Sequence, residues 1–253
     1  PAVLALLWSP ALFAAPIARP VEWTIGGDTF AGVLVYDDAV KQPRPGLVMV
    51  PNWKGVNDSA IEKARLVAGD DYVVLVADVY GKGIRPKTDA EAGPVATAMR
   101  ADRPKLRARV QKAVEVLKQQ PGTLVDVTRI GAFGYCFGGS TVLELVRAGD
   151  ALSGVVSLHG GLATDLPAAG PVKSPVLVLN GGDDTYVSAA EITAFQDEMR
   201  KAGADWQFVS FGGAVHCFAE SDAQNPPGCV YHAPSARRAY RMMADFFEDV
   251  FAK

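Results

Sequence analysis

Three residues of types that can make and break acyl bonds occupy informative positions in this chain: Cys136, Asp184 and His216. Cys136 lies in Ile130-Gly131-Ala132-Phe133-Gly134-Tyr135-Cys136-Phe137-Gly138-Gly139. That run reads as a strand, then Gly-x-Cys-x-Gly, then a helix. It matches the tight turn that exposes a nucleophile, with sulfur in place of the usual hydroxyl. Side chains at Gly134 and Gly138 would collide with backbone in so sharp a bend. The sulfur would stand at the start of helix 138–148, where unpaired N–H groups and the helix dipole favour thiolate over thiol. A plain core cysteine is the bland alternative, and the strand-turn-helix context argues against it.

A thiol nucleophile needs a base, and the base needs a partner that fixes its tautomer. Of three histidines, His216 follows the last strand pattern in Phe211-Gly212-Gly213-Ala214-Val215-His216. The order nucleophile, acid, histidine then fits. His159, in His159-Gly160-Gly161, looks like an oxyanion-hole motif but follows the nucleophile, so it reads as structural. His232 sits in a Pro-flanked loop and reads as a surface residue. The acid comes from Asn180-Gly181-Gly182-Asp183-Asp184-Thr185-Tyr186-Val187. Gly-x-x-Asp-x-x-Val spacing selects Asp184 over Asp183, and either could instead be a turn-capping residue.

The elements that must position these residues alternate between two periods. Val21–Ile25 and Phe30–Val35 flank Gly26-Gly27-Asp28 and read as a hairpin. Short apolar runs at 46–50, 72–77, 130–135, 154–158 and 175–180 read as buried strands, with a further strand at 206–211. Helical patterns fall at 59–68, 104–119, 138–148, 189–201 and 235–251. Asn57-Asp58 can cap the first, and Pro121-Gly122 stops the second. This alternation predicts an α/β fold with a mostly parallel sheet covered on both faces. Ligands bind such sheets at the carboxyl ends of the strands, where the candidate residues fall.

With 253 residues, 49% of them hydrophobic, the chain can bury one large core. The division expected is an apolar N-terminal segment, 1–18, and a single domain, 19–253. The first 16 residues, PAVLALLWSPALFAAP, carry no charge. An apolar run before Ala11, Ala14 and Ala15 resembles a secretory signal remnant and predicts export to the periplasm or medium. A surface-packed arm of a cytoplasmic protein is the alternative. The run is too short and Pro-broken to span a bilayer. A net charge of −3 with scattered signs argues against nucleic-acid and anionic-membrane partners. Neither G-x-G-x-x-G nor a P-loop is present, so no cofactor is expected. Among three cysteines, Cys217 and Cys229 are close in sequence across a Pro-Pro-Gly loop and could pair, leaving Cys136 free. A zinc site from His216, Cys217, Cys229 and His232 is the competing use, poorly suited because two ligands are adjacent.

With these residues in place, the sequence resembles the dienelactone hydrolase family of the α/β-hydrolase fold. The resemblance rests on Gly134–Gly139, on Gly181-Gly182-Asp183-Asp184 and on Gly213-Ala214-Val215-His216-Cys217-Phe218. Gly55-Val56-Asn57 and Asp78-Val79-Tyr80 add to it. It implies an oxyanion hole built from the backbone N–H groups of Phe137 and Trp53, worth about 3 kcal/mol per donor. It also implies a Glu beside the nucleophile, where this chain has Asn52, which cannot take a proton. The family's two substrate-gripping Arg correspond to Lys82 and Glu220 here. Both would line the substrate site, unless they are ordinary solvated charges. A bidentate clamp has become one point charge and one carboxylate, which would repel an anionic substrate. The expected small-molecule substrate is therefore a neutral ester or lactone, with an aryl leaving group against Trp53 and Phe137. Activated phosphotriesters are a second electrophile such a thiolate could attack. Acyltransferase or peptidase chemistry on the same fold, and a non-catalytic binding protein, are the competing functions.

Overall fold

The structure is a computed structural model that describes residues 16–120, 122 and 125–252. The apolar segment 1–15 lies outside the described residues. The first strand begins at Ile17, two residues before the domain boundary expected from sequence.

An eight-stranded sheet forms the centre. In chain order its strands are β1 (Ile17–Ile25), β2 (Asp28–Tyr36), β3 (Arg44–Val50), β4 (Val73–Val76), β5 (Val125–Tyr135), β6 (Gly154–Leu158), β7 (Val176–Gly181) and β8 (Trp206–Phe211). Their spatial order is β1-β2-β4-β3-β5-β6-β7-β8. β1 pairs antiparallel with β2, and β2 antiparallel with β4. Every later pairing is parallel. The β1–β2 turn is closed by Gly26 and Gly27, at φ 55° and 91°. Two successive positive φ values are what a two-residue hairpin turn requires, so Gly-Gly fixes the register.

The central strands are buried on both faces because both faces are covered. Val48 and Val50 join one apolar cluster while Leu47 and Met49 join the other, and Val176/Val178 alternate with Leu177/Leu179 in the same way. Helices α1 (Asp58–Ala68) and α6 (Ala233–Phe251) supply one layer through Ala60, Ala64, Met243 and Phe247. The other layer is α2 (Asp89–Ala101), α3 (Arg103–Lys118), α4 (Phe137–Ala148) and α5 (Ala189–Lys201), through Met99, Val110, Leu143 and Phe195. Asn57 caps α1 by accepting the Ala60 N–H, and Ser188 with Glu191 forms a capping box on α5.

Two elements were not legible in the sequence. Helix α2 carries Pro94 in its interior, after Gly93, and the pair masks its weak apolar stripe. A small ribbon, β9 (Gln224–Asn225) with β10 (Cys229–Val230), follows the loop after β8. Both elements border the site. No helix among the described residues is long and apolar enough to cross a membrane.

Candidate active site

Cys136 occupies the bend between β5 and α4, with φ 52° and ψ −115°. This is strained backbone for a residue with a side chain, held in place by its surroundings. The glycines on either side are required by contact. A Cβ on Gly134 would lie 2.3 Å from the Gly138 carbonyl carbon, and one on Gly138 would lie 1.9 Å from the Val50 carbonyl oxygen. The start of α4 therefore presses directly on the end of β3. Cys136 is half-buried and opens onto a cavity of about 590 Å3.

His216 reaches the same cavity from the loop after β8. Its Nδ1 lies 2.7 Å from Asp184 Oδ2, and Asp184 Oδ1 accepts the Tyr186 N–H at 2.9 Å. Asp184 is buried, whereas Asp183 is exposed, so the structure pairs the imidazole with Asp184. Burial alone would lower the His216 pKa. Hydrogen bonds with Asp184 and with the Cys136 sulfur, together with both charges, reverse this and push it up to about 10. Sulfur, imidazole and carboxylate thus make one hydrogen-bonded series, the arrangement that a nucleophile, a proton carrier and an orienter need.

Phe137 is the first residue of α4, so its N–H has no intrahelical acceptor. Trp53 lies in the loop after β3. Neither N–H has a hydrogen-bond partner among the described residues. The Phe137 ring is buried against Tyr80 and under the Arg100 guanidinium, and it does not line the cavity. The aromatic surfaces open to a substrate are instead Trp53 and Tyr186, the latter edge-on to His216 at 5.0 Å between ring centroids.

The two positions at which the resemblance implies arginines behave differently from each other. Lys82 is not among the cavity-lining residues. Its N–H bonds Thr29 and its Nζ pairs with Glu22 at 2.7 Å, which draws it to the β1–β2 hairpin. Glu220 does line the cavity and is buried, not solvated. It accepts a 2.6 Å hydrogen bond from Asn52 Nδ2 and pairs with the buried Lys63 at 3.3 Å. Burial raises the Glu220 pKa, against the pull of Lys63 and Asn52. Asn52 also lines the cavity, with its Oδ1 accepting the Lys54 N–H at 3.0 Å.

Cys217 and Cys229 are joined as a disulfide. This takes both sulfurs out of the four-ligand zinc set. The bond, with Val230 N–H donating to the His216 carbonyl at 3.1 Å, ties the β9–β10 ribbon to the residue that carries the imidazole. His232 is half-buried at the start of α6, its Nδ1 2.8 Å from Ser235 Oγ. Sequence reasoning passed over α2, whose Asp89 and Arg100 line the cavity, and over Tyr186. It also gave no role to Lys63, whose only signal was a lysine on the buried face of a predicted helix.

Comparison with known proteins identifies the family. A model of the dienelactone hydrolase family matches residues 30–251. A solved dienelactone hydrolase-like promiscuous phosphotriesterase from metagenomic libraries is 35% identical. The similarity covers 94% of this chain and all of that one, with a TM-score of 0.88. The carboxymethylenebutenolidase of Pseudomonas putida is 28% identical over 234 residues, 90% of this chain and 94% of that protein. An uncharacterized protein of Caenorhabditis elegans is 33% identical over 153 residues, 58% of this chain and 96% of that protein. With its family match spanning nearly the whole described domain and its strand-turn-helix bend in place, the chain belongs to the dienelactone hydrolase family.

Proposed function

We propose that this protein hydrolyses neutral esters or lactones through a thioester on Cys136. The observation that carries this reading is His216, held between Asp184 and the Cys136 sulfur in the wall of a cavity. With the proton already held on His216, the Cys136 sulfur attacks the acyl carbon as a thiolate. The oxyanion that forms is met by the Phe137 and Trp53 N–H groups. As the tetrahedral adduct collapses, the C–O bond breaks and the alkoxide takes the proton from His216. Water then attacks the thioester and gives its proton to His216. The C–S bond breaks, the carboxylic acid leaves, and thiolate and imidazolium are restored. Asp184 holds the imidazole in one tautomer throughout.

Neutral substrates fit the charges present. Lys82 is tied to Glu22 away from the cavity, and the wall balances Lys54, Arg100 and Arg103 against Asp89, Glu191, Glu220 and Asp222. Hydrolysis of p-nitrophenyl acetate that disappears in Cys136→Ala tests the reading, and turnover surviving in that variant rejects it. A phosphotriester side activity is favoured by the similarity to a promiscuous phosphotriesterase. Paraoxon hydrolysis lost in the same variant would support it. The Cys217–Cys229 bond fits an oxidising compartment, so we also place the protein outside the cytoplasm; recovery in the cytosolic fraction of the source cells argues against that placement.

A further inference from the structure

Glu220 is a buried carboxylate of the cavity wall for which the chemistry above has no use. A buried charge is costly, and an apolar side chain of similar size would avoid the cost. Its two oxygens face different parts of the site. Oε2 receives the Asn52 amide at 2.6 Å and Lys63 at 3.3 Å. Asn52 in turn fixes the Lys54 N–H through Oδ1 at 3.0 Å, so its side chain brackets Trp53 from both sides in sequence. Oε1 has no hydrogen-bond partner among the described residues and faces His159 Nε2 at 4.0 Å, which also has none.

His159 stands between Glu220 and the nucleophile bend. Its Nδ1 accepts the backbone N–H of Cys136 at 3.2 Å, so the ring proton sits on Nε2, pointing toward Glu220. Burial, and then the neighbouring His216, hold its pKa well below 6.5, so the ring stays neutral. His159 itself has φ 40°, a strained backbone like that of Cys136. The carboxylate therefore bonds to the Trp53 loop through Asn52 and faces, across 4.0 Å, the ring that bonds to the nucleophile bend. Lys63 is anchored independently by Asp222 at 2.7 Å.

We propose that Glu220 is a positioning residue that sets the Trp53 loop and the Cys136 bend at a fixed separation, so that two backbone N–H groups converge on one oxygen. The inference rests on the oxyanion role given above to Phe137 and Trp53. It predicts a specific pattern, because alkylation of a thiol by iodoacetamide passes through no oxyanion whereas ester hydrolysis does.

The test measures kcat and KM for p-nitrophenyl acetate, and the second-order rate of Cys136 alkylation, in wild type, Glu220→Gln, Asn52→Ala and Cys136→Ala. Both positioning variants should lose about ten- to a hundredfold in kcat, as a misplaced group does. KM and the alkylation rate should stay within about threefold of wild type. If Glu220→Gln does not fold, Asn52→Ala carries the test, because it leaves Glu220 paired with Lys63. Alkylation falling in step with kcat would place the effect on the sulfur and overturn the proposal. Unchanged kcat in the folded variants would also overturn it. Turnover that survives Cys136→Ala instead removes the underlying nucleophile reading, so the two failures are distinguishable.

Discussion

Asp184 and His216 are the most tightly specified pair in the site: the carboxylate gives one oxygen to Nδ1 at 2.7 Å and the other to the Tyr186 N–H at 2.9 Å. With both oxygens engaged, the carboxylate cannot rotate away. Asp184→Asn keeps the shape but can favour the wrong tautomer, which costs about 10⁴ in kcat in a comparable triad. Asp183→Asn, at an exposed position, should stay within about twofold of wild type. Steady-state kinetics of the two variants with p-nitrophenyl acetate decide it. Equal losses would mean the acid is misassigned.

The bend around Cys136 tolerates no side chain at Gly138. A Cβ there would stand 1.9 Å from the Val50 carbonyl oxygen and 2.5 Å from that of Pro51, both backbone atoms that cannot swing aside. Gly138→Ala should destabilise the protein by about 3 kcal/mol or more, beyond the usual range for an added methyl. Urea denaturation measures this, with Gly161→Ala, where nothing lies within 4 Å, as the tolerant control. Similar midpoints for the two would show that the bend is looser than described.

Titration of His216 makes one part of stability depend on pH. Its pKa is raised in the folded protein, from 6.5 to about 10, so folding binds a proton more tightly than the unfolded chain does. The stabilisation is complete below pH 6.5 and is lost as pH rises through about 10. The difference in Tm between wild type and His216→Asn should therefore be largest near pH 6 and shrink steadily toward pH 10. Scanning calorimetry across that range checks it; a gap that widens with pH contradicts the sign.

The Cys217–Cys229 bond closes a sequence separation of 12, and such a loop contributes about 2–3 kcal/mol in the chain-entropy model. It also holds the ribbon that bonds to His216. Cys217→Ser with Cys229→Ser should lower Tm and lower kcat together, while wild type should fall toward that variant when reductant is added. Thermal melts with and without reductant test this. A double variant that keeps full stability would make the bond incidental.

The sequence and the structure agree best where backbone geometry forces residue type. Gly134 and Gly138 are demanded by contact, and Gly26-Gly27 by a two-residue turn, so elbow and hairpin were both legible. Helix α2 was not, because Gly93 and Pro94 interrupt it and tertiary packing of Met99 overrides the local signal. Lys82 was misjudged for a different reason. Matching positions in a motif says which residue stands there, not which way it is drawn. Lys82 is drawn outward by Glu22, and Glu220 inward by Lys63 and Asn52. All three partners are distant in sequence, and no local pattern announces them.

The acyl group itself gives the most direct test. Enzyme mixed with p-nitrophenyl acetate and quenched in acid within the first turnover should carry one acetyl group, and peptide mapping should find it on the peptide containing Cys136. It should be labile to hydroxylamine, as a thioester is. An acetyl group on any other residue, with turnover intact in Cys136→Ala, would contradict the account.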